Sequence, residues 1–340
     1  MSARNATPAA RTQATHTQAP RTQATHTQAP RIPRTVPGVR FPVGEPIVET
    51  PAPEPVIGAD AAFVFEGGGM RGLFTAGVID VLMEHGVTAG LAVGVSAGVT
   101  FGCNFKSLQI GRPRRYNERY CADHRYASLR NLITTGDLYS RDFAYGELPW
   151  TLDPFDLDAF RANPMRFFSV STDLATGEAV YHELDGTGDE IIEWIRSSAS
   201  IPVLSRPVEL DGRLLLDGGV ADSIPVAWAR AQGLSKTVAV LTQPAGYRKD
   251  PNSLMPLLRV WFRRYPRFAE CLADRHLRYN ETLDKIASLE RAGELFVIRP
   301  SASVKTPGIV RDPAILEVVY QRGRADAEQA LPELLSYLQG

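Results

Sequence analysis

A serine flanked by small residues is the first candidate for chemistry in this chain. Ser96 lies in the segment GVSAG at 94–98, which fits the pattern GxSxG, between the apolar run 91–95 and a second apolar stretch. A sharp turn from a strand into a helix exposes the oxygen of such a serine, and the crowded turn requires small neighbours. The amide of Ala97 can then face a developing oxyanion. The pattern therefore predicts a nucleophilic serine.

A glycine loop, EGGGMRG at 66–72, fits the pattern GxGxxG and has two competing interpretations. In a dinucleotide-binding protein the next strand ends in an acidic residue for the ribose. Here that strand ends at Ser96, and no Asp or Glu lies between 85 and 117. In an oxyanion hole, glycines let neighbouring amides point at one spot. The position of the loop beside the serine turn favours the oxyanion hole.

A serine hydroxyl also needs a base, and no histidine fits that role well. His85 lies at a predicted helix end, and His182 lies on a predicted strand face. His124 has no small-residue loop to hold it, and His276, the only one late enough in the chain, lies in a charged helical pattern. We expect structural roles for all four.

An aspartate is better placed to act as the base. Asp217 ends the apolar run 214–216 and is followed by Gly218 and Gly219, which allow close approach of a neighbouring backbone. Partial burial would raise the pKa of this carboxyl and its strength as a base. Direct pairing of Ser96 with Asp217 is workable if an oxyanion hole carries much of the barrier reduction.

The segments EGGGMRG, GVSAG and DGG, in this order, resemble the three signature blocks of patatin-like phospholipases. Two weaker segments agree, STDLATGEAV at 171–180 and SSASIPVLSRPVEL at 197–210. The resemblance covers about 61–242. It implies a three-layer α/β fold with a central, mostly parallel sheet flanked by helices, and a Ser–Asp dyad in place of a catalytic triad.

The resemblance also implies roles for single residues. Ser96 would be the nucleophile and Asp217 the proton acceptor, and Arg71 would give structural or electrostatic support. The backbone of Gly67, Gly68 and Gly69, together with Ala97, would form the oxyanion hole. The supporting residues of the three motifs are Gly72, Gly94, Gly98, Gly218 and Gly219. The implied activity is hydrolysis of carboxylic esters of lipids, of the phospholipase A or lysophospholipase type, without a metal or organic cofactor.

Three other functions stay open. The chain could be a dinucleotide-binding oxidoreductase, which needs the ribose-binding acid that the sequence lacks at the expected place. It could be a catalytically silent scaffold of the same fold, although all three signature blocks are intact. The nearest variant is an α/β-hydrolase that uses His276 as its base.

The elements that must position these residues follow from the apolar pattern. Residues 1–58, with the unit RTQATHTQAP at 11–20 and again at 21–30, predict a disordered tail. We expect a catalytic domain over 59–245 and a mostly helical extension over 246–340, packed on the same domain. Predicted strands are 61–65, 91–95, 166–172, 178–183, 206–210, 213–216, 236–242 and 294–299. Predicted helices include 189–198, 224–232 and 312–338, whereas the basic, aromatic segment 112–160 yields no clear order.

Composition limits the partners and the location. The net charge of −1 gives no basis for binding nucleic acid, and no apolar run reaches the length of a membrane span. The three cysteines, Cys103, Cys121 and Cys271, suit neither disulfides nor a zinc site, which favours the cytoplasm. The segment 258–268 mixes aromatic and basic residues and could touch a membrane transiently, but we favour a helix whose aromatic side chains pack inward.

Overall fold

The residues that the computed structural model describes, 57–303, 306 and 309–340, build one eight-stranded sheet with helices on both faces. The strands are β1 Ala61–Phe65, β2 Leu91–Val95, β3 Arg166–Asp173, β4 Ala179–Glu183, β5 Val208–Leu210, β6 Arg213–Asp217, β7 Lys236–Val240 and β8 Phe296–Ile298. Nearly all of the predicted tail lies outside the described residues. Ile57, at the start of the described part, forms an isolated bridge with Val87.

Ten α-helices lie in the same described ranges. They are α1 Leu73–Glu84, α2 Ala97–Lys106, α3 Arg112–Tyr120, α4 Leu129–Thr135, α5 Leu157–Ala162, α6 Gly188–Ser198, α7 Val226–Arg230, α8 Met255–Trp261, α9 Pro266–Arg291 and α10 Pro313–Gln339. A π-helical segment, Arg141–Leu152, contains Pro149, and short 3-10 turns follow β1 at Gly69–Gly72 and β6 at Gly218–Val220.

The sheet is mixed but mostly parallel, which confirms the predicted fold class. Its order is β5-β6-β3-β2-β1-β7-β8, and β4 pairs with β3 outside this path. The five strands β1, β2, β3, β7 and β8 run parallel to their neighbours in that group, while β4, β5 and β6 pair antiparallel. Parallel neighbours need crossover connections. Helix α1 follows β1 after the glycine loop, and α2 follows β2 after Ser96.

Strand β1 shows why its sequence is apolar throughout. Phe63 and Phe65 face a core layer that contains side chains of α1, α2 and α10, whereas Ala62 and Val64 face a second layer that contains side chains of α7 and α9. Successive side chains of a strand point to opposite faces, so a strand covered on both faces carries no polar alternation. The two layers of helices and the sheet between them make the three-layer architecture.

The C-terminal helices pack on the sheet domain at two places. Helix α10 crosses α1, where the hydroxyl of Tyr320 donates to Asp80 Oδ2 at 2.7 Å. Phe262, which follows α8, and Phe268 of α9 pack in one cluster with Leu216 of β6 and Val220 of the turn after it. The second contact brings the C-terminal segment beside Asp217.

The segment 112–160, which the sequence left without order, folds into α3, α4, the π-helical segment and the start of α5. The predicted strands are all present. Four of the eight are shorter than the runs that indicate them, such as Phe296–Ile298 within 294–299. The predicted helix 224–232 is confined to Val226–Arg230.

Candidate active site

The backbone at Ser96 turns sharply between β2 and α2. Ser96 has φ 54° and ψ −122°, a backbone conformation that residues other than glycine rarely adopt. The neighbouring backbones are so close that a Cβ at Gly98 would lie 2.2 Å from the carbonyl oxygen of Phe65, and one at Gly94 would lie 2.5 Å from the backbone of Val99. The small residues of GxSxG are therefore required by the close packing of this turn.

Strand β3 brings the two ends of the site together. Val95, the residue before the serine, pairs with Val170 in the parallel register of β2 and β3. The next residue of β3, Ser171, pairs with Asp217 in the antiparallel register of β6. Strand β3 therefore holds Ser96 and Asp217 side by side, although they are 121 positions apart in the chain.

The hydroxyl of Ser96 donates to Asp217 Oδ2 at 2.6 Å. The other carboxylate oxygen, Oδ1, accepts from the amide of Gly219 at 2.7 Å. Ser96 is 8% exposed and Asp217 is 7% exposed. Burial raises the pKa of Asp217, and the hydrogen bond from Ser96, the charge of Arg275 and the amide of Gly219 reduce that rise. A carboxylate in this setting is a stronger base than an exposed one.

Ser198 fixes the serine turn, and the sequence analysis did not single it out. Its hydroxyl accepts from the amide of Ser96 at 2.9 Å and donates to the carbonyl of Val170 at 2.5 Å. Ser198 ends α6, and the amide of Asp217 donates to the nearby carbonyl of Ser200 at 2.8 Å. The only sequence signal was the segment 197–210, which carries part of the family resemblance.

The glycine loop presents backbone amides beside Ser96. In the described part of the chain, the amides of Gly67, Gly68, Gly69 and Ala97 donate no hydrogen bond to the protein. Gly69 has φ +56°, and a Cβ at Gly67 would lie 3.0 Å from Cβ of Ser96, so the loop runs close to the serine. Unpaired amides next to a nucleophile are what an oxyanion hole requires.

The loop is held from behind by Glu66. Its Oε2 accepts from the amide of Thr242 at 2.6 Å, and its Oε1 accepts from the hydroxyl of Tyr279 at 2.5 Å. Burial raises the pKa of Glu66, and these two hydrogen bonds and the charge of Arg71 oppose the rise. Tyr279 belongs to α9, so the C-terminal segment supports the loop as well.

Two cavities meet at Ser96 and share Gly69 and Ile201 in their walls. The first is a narrow apolar pocket of about 90 Å³, which is lined mainly by aromatic and aliphatic side chains. These are Phe101, Tyr116, Tyr126, Tyr139, Tyr145, Leu148, Phe155, Ile192 and Ile195. The second is a wider cleft of about 620 Å³ that also contains Gly67, Gly68, Asp217 and the side chain of Arg71.

The four histidines of the sequence analysis take structural positions. His276 Nδ1 donates a hydrogen bond at 3.0 Å to the carbonyl of Ala273 in its own helix. His182 stacks on Trp194 with ring centroids 3.7 Å apart. His85 follows the last residue of α1, and His124 lies in a turn with Nδ1 at 3.9 Å from Asp123. None of them lines either cavity at Ser96.

The inward packing predicted for 258–268 is right for Phe262 and Phe268 and wrong for Trp261, which is 64% exposed. The segment is not one helix, because α8 ends at Trp261 and α9 begins at Pro266. Leu254, Leu257 and Trp261 lie at the rim of the wide cleft. These three exposed apolar side chains line the same cleft as Ser96 and Asp217.

Two general features concern membranes and metals. Across residues 57–303, 306 and 309–340, no helix is long and apolar enough to cross a membrane. The same residues hold no group of three His, Cys, Asp or Glu side chains arranged to bind a metal ion.

Comparison with protein families gives two matches. Residues 63–229 match the family "Patatin-like phospholipase", and residues 265–339 match a domain of unknown function, DUF6363. The first match contains the glycine loop, the serine turn and Asp217. The second contains all of α9 and α10.

Several curated proteins are similar to this chain. The uncharacterized protein YjjU of Escherichia coli K12 is 31% identical over 211 residues, which are 61% of this chain and 56% of YjjU. The lysophospholipase NTE1 of Meyerozyma guilliermondii is 27% identical over 219 residues, which are 60% of this chain and 14% of that protein. The matched part thus spans about half of one relative and a small part of the other.

Among solved structures, VipD from Legionella pneumophila matches with a TM-score of 0.40 and 14% identity, over 83% of this chain and 68% of VipD. The type III effector ExoU matches with a TM-score of 0.34 and 11% identity, over 83% of this chain and 54% of ExoU.

Proposed function

Residues 63–229 form a domain of the patatin-like phospholipase family, and from this premise we propose that the protein is a serine hydrolase of lipid esters with Ser96 as nucleophile and Asp217 as base. One observation carries the proposal: the hydroxyl of Ser96 donates to Asp217 at 2.6 Å, in a strained turn where two cavities meet. The similarity to a lysophospholipase supports phospholipase A or lysophospholipase activity as the specific reaction.

The reaction would proceed in two acyl-transfer steps. Ser96 Oγ attacks the ester carbonyl carbon while its proton passes to Asp217 Oδ2. The carbonyl oxygen becomes an oxyanion, which accepts hydrogen bonds from amides of the set Gly67, Gly68, Gly69 and Ala97. The bond to the leaving oxygen then breaks, and Asp217 returns the proton to the departing alcohol.

Hydrolysis of the acyl-enzyme would repeat this step with water as the nucleophile and Ser96 as the leaving group. Water attacks the acyl carbon of the Ser96 ester and gives its proton to Asp217. A second oxyanion forms against the same amides, the bond to Ser96 Oγ breaks, and the serine regains its proton from Asp217. The products are the fatty acid and the free enzyme. These reaction steps use only the protein groups described above, without a cofactor.

The two cavities suggest how a lipid ester would lie. The apolar pocket offers aromatic and aliphatic walls but few polar groups, which suits an acyl chain. The wide cleft contains charged side chains and opens at the rim of α8, which suits the alcohol part of the ester. The ester carbon would then lie at Ser96, where the cavities join.

The proposal is tested by hydrolysis of p-nitrophenyl butyrate and of a palmitoyl lysophospholipid by the wild type and Ser96→Ala. We expect the variant to lose at least about 10³-fold in kcat/KM for both esters. Ser107→Ala is the matched control, because Ser107 is also buried but lies at the far end of α2. Equal activity of the wild type and Ser96→Ala, or equal losses in both variants, would exclude the role of Ser96.

We also propose that the rim of the cleft touches an anionic lipid surface. Leu254, Leu257, Val260 and Trp261 are each between 60% and 66% exposed, and contiguous exposed apolar side chains mark interaction sites. Arg259, Arg263 and Arg264 are exposed in the same segment and complement a negative surface. Lipid bound there would have a direct route into the cleft. Residence in the cytoplasm stays a prediction from the cysteine pattern.

Flotation with vesicles rich in phosphatidylglycerol tests this contact. We expect the wild type to float with the vesicles and Leu257→Ser/Trp261→Ser to remain in the dense fraction. Val318→Ser is the control, because Val318 is 65% exposed but lies on α10. A wild type that never floats, or a control that loses binding equally, would remove the rim as a lipid contact.

A further inference from the structure

Three basic side chains line the wide cleft without an ion-pair partner among the described residues. They are Arg71 of the glycine loop, Lys249 of the loop between β7 and α8, and Arg275 of α9. The Nε atoms of Arg71 and Arg275 are buried, and neither has a hydrogen-bond partner in that part of the chain. Most basic side chains elsewhere in the fold that are partly buried pair with a carboxylate, as Arg112 does with Asp153. A buried guanidinium nitrogen without a partner is costly, so this cluster calls for an anion from outside.

The three charges are close enough to affect one another and the candidate base. A Cβ at Gly219 would lie 3.0 Å from Arg275 Nη2 and also 3.0 Å from Asp217 Oδ1, so both groups border the same glycine. Burial, together with the charges of Arg275 and Arg71, lowers the pKa of Lys249 to about 8 against the opposing charge of Glu66. Crowding of like charges of this kind is relieved when an anion binds between them.

Buried carboxylates do not neutralise the cluster fully. Glu66 is engaged by Thr242 and Tyr279, and Asp217 is engaged by Ser96 and Gly219. The ammonium of Lys249 lies 4.8 Å from the ring centroid of Tyr279, which positions it over the cleft without supplying a negative charge. Two guanidinium groups and one ammonium offer several charged donors to a single tetrahedral anion.

Building on the proposed function, we infer that Lys249 and Arg275, together with Arg71, bind the phosphate of the lipid head group while the ester lies at Ser96. Two of the three side chains come from outside the patatin-like match, and Arg275 lies inside the region that matches the domain of unknown function. The inference therefore gives that region a role in choosing the substrate. It predicts a preference for esters that carry phosphate over neutral esters with the same acyl chain.

Binding to the Ser96→Ala protein tests the inference without relying on turnover. The probes are 1-palmitoyl lysophosphatidic acid and 1-palmitoylglycerol, which share the acyl ester and differ by the phosphate. We expect the phosphate-bearing probe to bind at least about tenfold more tightly, and Arg275→Gln or Lys249→Met in this background to remove most of that difference. Lys249→Arg should retain it, because the charge and donors remain.

Lys285→Met is the matched control, because Lys285 is exposed on α9 and lies outside the cleft. Thermal melting of each variant checks that a loss of binding is not a loss of folding. Equal binding of the two lipids, or a preference that survives Arg275→Gln and Lys249→Met, would overturn the inference. Binding of inorganic phosphate as tight as that of the lipid would assign the cluster to a free anion and would overturn it too.

Kinetics separate this inference from the proposed function. If hydrolysis of both lipids depends on Ser96 but shows no preference for phosphate, the hydrolase proposal stands and the phosphate site is excluded. If neither lipid is hydrolysed while the Ser96→Ala protein still prefers the phosphate-bearing probe, the site stands and the hydrolase proposal falls. In the expected case, the loss in Arg275→Gln is carried mainly by KM.

Discussion

Replacing Asp217 by asparagine separates the chemical role of this carboxyl from any role in folding. The substitution changes almost no volume in a side chain that is 7% exposed. The amide oxygen of asparagine still accepts from the amide of Gly219, which is 2.7 Å from Oδ1. The amide nitrogen, however, replaces the oxygen 2.6 Å from Ser96 Oγ, so the group that accepts the serine proton becomes a donor.

The expected loss of activity follows from that exchange. A positioned general base contributes about 10²–10⁴-fold, and the asparagine variant loses it in both acyl-transfer steps. We therefore expect kcat/KM for p-nitrophenyl butyrate to fall about 10³-fold, which corresponds to about 4 kcal/mol of transition-state stabilisation. Because burial disfavours the charged carboxylate, the neutral variant should unfold at the same temperature as the wild type or at a higher one.

Asp222→Asn is the matched control for this prediction. The carboxyl of Asp222 is also buried enough for its pKa to be raised, and it accepts from the hydroxyl of Tyr181 at 2.7 Å. It lies outside both cavities at Ser96, so its replacement should leave esterase activity near that of the wild type. Full activity of Asp217→Asn, or an equal loss in Asp222→Asn, would refute the assignment of Asp217 as the base.

Three further predictions concern pH, packing and the acyl pocket. The base must be ionised to work, and burial raises the pKa of Asp217. We therefore expect kcat/KM to fall on acidification with an apparent pKa above the usual value of about 3.9. An acidic limb of the pH–rate profile with an apparent pKa of about 3.9 or lower would contradict the burial argument. Gly98→Ala should lower the free energy of unfolding in urea by about 1–3 kcal/mol, because the added methyl group would lie 2.2 Å from the carbonyl oxygen of Phe65; unchanged stability would show that the turn can relax. Ala144→Trp, which fills the apolar pocket, should reduce hydrolysis of p-nitrophenyl palmitate much more than that of the acetate, and equal effects would place the acyl chain elsewhere.

The local part of the site is predictable because its causes are local. The apolar runs of β1 and β2, the crowded turn at Ser96 and the glycines of the loop each leave a mark within a few residues of sequence. The end of β6 at Asp217 is visible for the same reason. What joins the serine to the aspartate is the register of β3, in which Val170 and Ser171 pair with the two different strands. A single sequence suggests that register only through a family resemblance.

The rest of the site depends on contacts that leave no local pattern. Lys249 and Arg275 look like ordinary basic residues of a loop and a helix, and only the packing of α9 on the sheet brings them to the cleft. Ser198 resembles any serine near a helix end until its bond to the amide of Ser96 is known. Trp261 is expected to pack inward if the segment forms one helix, but helix α8 ends at this residue and its ring is exposed.

The most direct test of the account is covalent labelling of the wild-type protein with a fluorophosphonate, followed by mass spectrometry of its peptides. Reagents of this class react with a serine hydroxyl whose proton a neighbouring base accepts, so the adduct should form on Ser96 and should form far more slowly in Asp217→Asn. An adduct on another serine, or equal labelling rates in the two proteins, would contradict the pairing of this hydroxyl with this carboxylate as the reactive unit.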